Sequence, residues 1–121
     1  MKPIKIAATA DIHFSRENQD KAIYSLEAFL TKGGEEKVDL FSIAGDLFDK
    51  AVNNTANSGF PKLENYIKCM MDIAPVVVVE GTVTHDIKGC YDIFRDIDAQ
   101  YNFTILHPGK PYFLKRRYSG Y

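Results

Sequence analysis

At 121 residues, with 45% hydrophobic and 26% charged side chains, the chain has the usage of an ordinary globular protein and the length of one domain or part of one. A net charge of −1 leaves no basic footprint for nucleic acid, although a nucleic-acid substrate reached through metal ions or a basic partner stays open. Cys69 and Cys90 fit neither a disulfide framework nor a CxxC metal site, which points to a reducing cytoplasm, and no apolar run is long enough for a signal segment or a membrane span.

In chain order the pattern alternates strands and helices. Residues 4–10 are apolar, short and bounded by Pro3 and Asp11, which predicts a buried strand. A helix follows, capped by Ser15 or Asn18, with Ala22, Leu26, Phe29 and Leu30 at helical spacing and Gly33-Gly34 as its stop. Residues 38–44 read as the second strand, ending at Gly45, and the small polar residues 53–59 as a loop. A second helix is expected over residues 61–73, with Leu63, Tyr66, Ile67, Met70 and Met71 facing inward, Pro61 in its first turn and Pro75 at its end. The β-branched residues 75–79 form a third strand, buried on both faces if the sheet is parallel. A short helix over residues 91–99, a fourth strand over 103–106 and a further strand over 110–115 complete the reading. This βαβαβ order predicts an α/β fold with a mostly parallel sheet, whose ligands sit beyond the carboxyl ends of the strands.

Those ends carry the chemistry. The first strand runs into Asp11-Ile12-His13, where residues i and i+2 of an extended chain point the same way and can converge on one ion. The second runs into Gly45-Asp46-Leu47-Phe48-Asp49, where a glycine turn would project Asp46 over the same edge and Asp49 could orient a neighbouring ligand. The third runs into Glu80-Gly81-Thr82-Val83-Thr84-His85-Asp86. Each segment alone has a plainer reading, such as a turn-capping aspartate or a solvated loop histidine. Together they deliver Asp or His from three successive strands to one edge. Asp11 and Asp46 brought close would repel strongly unless a cation sat between them. A mixed nitrogen and carboxylate set suits manganese, iron or zinc better than calcium or magnesium.

With DIH at 11–13, GDLFD at 45–49 and G…HD at 81–86, the chain resembles the amino-terminal part of a calcineurin-like metallophosphoesterase, whose ordered signature is DxH, GDxxD, GNH[DE]. The wording SIAGDLFD is similar to that of SbcD-type DNA repair exonucleases, and Gly-Thr-x-Thr-His-Asp resembles phage members of that group. The resemblance implies a portion of an α/β/β/α sandwich and a centre of two divalent ions, Mn2+ first, with Fe or Zn as alternatives. It makes Asp11 and His13 ligands of the first ion and Asp46 the bridge. It sets His85 beside the scissile phosphate as general acid or transition-state stabiliser, with Asp86 orienting it and Asp49 in support. Thr84 stands where the family has an asparagine ligand to the second ion, and offers a neutral hydroxyl instead.

The family's later histidines, ending in a GHxH-like motif, have no match before Tyr121, so residues 1–121 are expected to be an amino-terminal fragment, poorly active alone. His107, in Leu-His-Pro-Gly, sits in a turn context and reads as a structural or surface residue. The resemblance also implies DNA as substrate and a coiled-coil ATPase as partner, and an uncovered sheet face implies poor solubility or self-association, a homodimer being one form of it. The alternatives are a metallophosphoesterase acting on phosphoproteins, nucleotides or small phosphodiesters, and an inactive remnant.

Overall fold

The computed structural model describes residues 3–15, 17–48, 60–81, 103–107 and 109. Among these the elements alternate as β1 (Ile6–Thr9), α1 (Gln19–Glu36), β2 (Leu40–Ala44), α2 (Phe60–Ile73), β3 (Val76–Val79) and β4 (Phe103–Leu106). Every strand pairing is parallel, and the strands lie side by side in chain order, β1-β2-β3-β4. The α/β class and the parallel sheet are as expected. The helix expected over residues 91–99 and the strand over 110–115 lie outside the described residues.

Register places the core. Ala7, Phe41, Val76 and Phe103 form one row across the sheet, and Thr9, Ile43, Val78 and Ile105 the next but one. Side chains two apart on a strand share a face, so both rows look the same way. On that face Phe41, Ile43, Val76, Val78 and Phe103 join Ala22 and Leu26 of α1 with Leu63, Ile67, Met70 and Met71 of α2 in one buried cluster. The two helices also pack on each other, so both cover this face. Each fully buried Leu, Ile, Met or Phe there contributes about 1.5–3 kcal/mol by leaving water. In β3, Val76, Val77 and Val78 are all buried, as a strand with neighbours on both sides requires.

Two expectations change. The first strand is shorter than residues 4–10 and is not buried: among the described strands it lies at an edge of the sheet, and Ile4 and Ile6 are 73% and 55% exposed. A short apolar run looks the same at an edge as at the centre, so composition alone misplaces it. What fixes the start of β1 is polar, with Lys5 N donating to the Asp39 carboxylate at 3.0 Å and Asp39 N donating to Lys5 O at 2.8 Å.

Nor do Gly33 and Gly34 stop α1. The helix runs through them to Glu36 and ends at Lys37, whose left-handed backbone (φ 52, ψ 55) closes the terminus. Lys37 N donates to Gly34 O and Val38 N to Gly33 O, both at 3.2 Å, the paired bonds of a Schellman motif. Gly33 has a packing role instead: a Cβ there would lie 2.2 Å from Cε1 of the Phe41 ring. The glycine is the space that β2's main aromatic needs under the helix.

Candidate metal centre

Beyond the carboxyl ends of β1 and β2 the two chains stay in step after the strands stop. Asp11 N donates to Gly45 O at 3.2 Å, His13 N to Asp46 O at 3.0 Å and Phe14 N to Leu47 O at 2.7 Å. Phe14 and Phe48 then make a parallel bridge and meet edge to face, ring centroids 6.4 Å apart at 78°. Ile12, Phe14, Leu47 and Phe48 are all buried. The segment therefore alternates, with Ile12 and Phe14 anchored inside and Asp11 and His13 turned outward. Aromatic burial of this kind, worth about 3–5 kcal/mol per ring on truncation, is the foundation that holds the polar residues above it.

Asp11 and His13 do share a side, but not because the chain is extended. Asp11 (φ 56), His13 (φ 56) and Asp46 (φ 53) all have left-handed backbone, and among the described residues the only other non-glycine at positive φ is Lys37, the helix terminus. Left-handed backbone costs a non-glycine residue about 1–2 kcal/mol. Such conformations persist only where the surroundings impose them, and they concentrate at functional sites. Here the surroundings are the zippered backbone bonds and the aromatic anchor.

The three side chains converge. His13 Nε2 lies 3.7 Å from Asp11 Oδ1 and 3.9 Å from Asp46 Oδ2, and one donor atom from each residue falls within 4.8 Å of the others. Donors so spaced can all lie about 2.0–2.5 Å from one shared centre, the range of metal–nitrogen and metal–oxygen bonds. The set of two carboxylates and an imidazole fits a divalent transition metal. Side-chain exposure falls from 66% at Asp11 through 35% at His13 to 16% at Asp46. The cluster is thus rooted at Asp46 and open to solvent at Asp11.

The third strand end closes the far side. A Cβ on Gly81 would lie 2.1 Å from Asp46 Oδ1 and 2.3 Å from Asp46 N. Gly45 (φ 84) sits against the same residue, its own Cβ position 3.4 Å from Gly81 Cα. Both glycines expected to serve as turns are therefore also clearance, letting the ends of β2 and β3 touch under the Asp46 carboxylate.

Of the remaining expected site residues, Asp49, Thr84, His85 and Asp86 lie outside the described residues. Two features escaped the sequence reading. Asn18, expected as a helix cap, has no side-chain capping bond, and its Nδ2 donates to His13 O at 3.1 Å. His107 is exposed, as a turn residue should be, yet it has a partner: its Nδ1 is 2.6 Å from Glu80 Oε2, where β4 and β3 end together. Nothing local in Leu-His-Pro-Gly signals that pairing, because it depends on strand register.

Among the described residues no helix is long and apolar enough to cross a membrane. A family model described as calcineurin-like phosphoesterase matches residues 4–114, a span that includes both zippered loops and the end of β3.

Proposed function

The chain belongs to the calcineurin-like phosphoesterase family, whose chemistry is metal-dependent phosphoester hydrolysis, and we propose that it cleaves phosphodiester bonds of DNA in the manner of SbcD-type nucleases. The observation that carries the hydrolase reading is the convergence of Asp11, His13 and Asp46 on three left-handed residues at one sheet edge. Support for DNA comes from sequence, in the wording SIAGDLFD and Gly-Thr-x-Thr-His-Asp.

A divalent ion bound there would supply Lewis acidity toward the phosphate and lower the pKa of a water molecule. The rest falls to side chains. Asp11 and His13 would hold a first ion, with Asp46, the least exposed of the three, shared with a second for which the resemblance offers the Thr84 hydroxyl. By the resemblance His85 would act as general acid or transition-state stabiliser at the departing oxygen, with Asp86 orienting it and Asp49 in support. The mixed nitrogen and carboxylate donors suit manganese, iron or zinc better than calcium or magnesium, and the likeness to SbcD-type enzymes puts manganese first. A coiled-coil ATPase is the proposed partner.

The test is Mn2+-dependent hydrolysis by the complete protein, comparing single- and double-stranded DNA with a chromogenic phosphodiester. DNA cleavage that is lost in Asp46→Asn is the expected result. Turnover of the small ester alone would overturn the DNA assignment, and full activity in Asp46→Asn would overturn the role of Asp46.

A further inference from the structure

Asn18 stands at the position before the first turn of α1, where asparagine ordinarily accepts a hydrogen bond from a backbone N–H two or three residues on, worth about 1 kcal/mol. It does not do so here. Its backbone (φ −116, ψ 11) is off the usual capping geometry and its side chain makes no capping bond. The amide instead turns back to the ligand loop, with Nδ2 3.1 Å from His13 O. A carbonyl can face only the NH2 end of that amide, so the direction of the bond is set by chemistry. Asn18 is itself fixed, because its N–H donates to Ser15 Oγ at 3.1 Å and to Ser15 O at 3.2 Å. Ser15 is buried at 5% exposure.

His13 is thereby gripped from both ends. Its N–H donates to Asp46 O at 3.0 Å and its carbonyl accepts from Asn18, around a backbone held at φ 56. We infer that Asn18 is a positioning residue: it gives up the helix cap to hold His13 in the left-handed conformation that aims Nε2 between Asp11 and Asp46. This rests on the metal-centre reading above.

The experiment separates the two jobs an asparagine could do here. In Asn18→Ser the hydroxyl is free to take up the cap that Asn18 leaves unmade but is too short to reach His13 O, whereas Asn18→Ala can do neither. Mn2+ affinity of the full chain is measured by calorimetry, and metal-free stability by thermal unfolding. Both variants are expected to bind Mn2+ about tenfold more weakly, the usual scale for loss of a group that orients a ligand. Metal-free Asn18→Ser should melt at or above the wild-type temperature. In a His13→Ala background Asn18→Ser should cost no further affinity, which a merely structural residue would not reproduce. Unchanged affinity in Asn18→Ser, alongside a loss in His13→Ala, overturns the role of Asn18 and leaves the centre standing. Wild-type binding that is indifferent to His13→Ala overturns both.

Discussion

Gly81→Ala tests the architecture around Asp46 most directly. The added Cβ would lie 2.3 Å from Asp46 N and 2.9 Å from Asp46 Cγ, against an ordinary contact of 3.4 Å or more. The carboxylate can rotate away from its own 2.1 Å clash, but the backbone nitrogen cannot. The end of β3 and the Asp46 loop must therefore separate by about 1 Å, a displacement that can cost an enzyme about 100-fold in rate. Overpacking itself costs about 1–3 kcal/mol. Gly33→Ala is the matched control, since its Cβ would lie 2.2 Å from the buried Phe41 ring on the helix side of the sheet, in the core rather than at the ligand loops. Both variants should melt several degrees lower, at about 2–8 °C per kcal/mol. Only Gly81→Ala should also lose phosphoester turnover, by about 100-fold, together with Mn2+ affinity. The assay is the Mn2+ dependence of hydrolysis of a chromogenic phosphodiester, read beside thermal melts of each variant. Wild-type turnover and affinity in a folded Gly81→Ala would refute the argument that this glycine sets the place of Asp46. Equal losses in Gly33→Ala would show that the effect is general destabilisation.

Three further outcomes are expected. Mn2+ at about 100 times its Kd should stabilise the chain by about 2.7 kcal/mol, with reversal by chelator and no effect on Asp46→Asn; a metal-indifferent melting temperature counts against the centre. His85→Ala should cut turnover while calorimetric Mn2+ binding stays near wild type, and a parallel loss of binding would make His85 a ligand instead. Burial pushes the Tyr66 hydroxyl above its usual value of 10.0, and the adjacent negative charge of Glu27, with a hydrogen bond to it, pushes the same way. Above about pH 10 the unfolded chain therefore ionises this tyrosine while the folded chain keeps its proton, so stability falls as pH rises. Tyr66→Phe should flatten that alkaline decline in urea-unfolding free energy, and an identical slope would exclude Tyr66 as its source.

Much of this was legible in the residues. The Val-rich third strand and the strand over residues 103–106 stand where they were expected, because β-branched runs between turn residues have few other options. The meeting of Asp11, His13 and Asp46 was legible too, from strand ends that must share an edge in a parallel sheet. The means was not: left-handed backbone at three non-glycine residues is imposed by bonds between distant loops, which no local pattern encodes. Gly33 looked like a helix stop because its actual role, room for Phe41, is a tertiary fact. Asn18 looked like a cap for the same reason, since its partner is the carbonyl of His13 and not the helix behind it.

Because neighbouring strands follow one another along the chain, the sheet can be laid down strand by strand as the ribosome delivers it. The groups that meet at Asp46, from Asp11 and His13 to Gly81, all belong to the first 81 residues. Each pairing joins segments separated by a single crossover, so the loop-closure entropy of each step is modest. A nascent chain that has emerged as far as Gly81 already holds every described wall of the cluster, and a cation arriving then would act as a clasp on the growing domain before β4 had emerged.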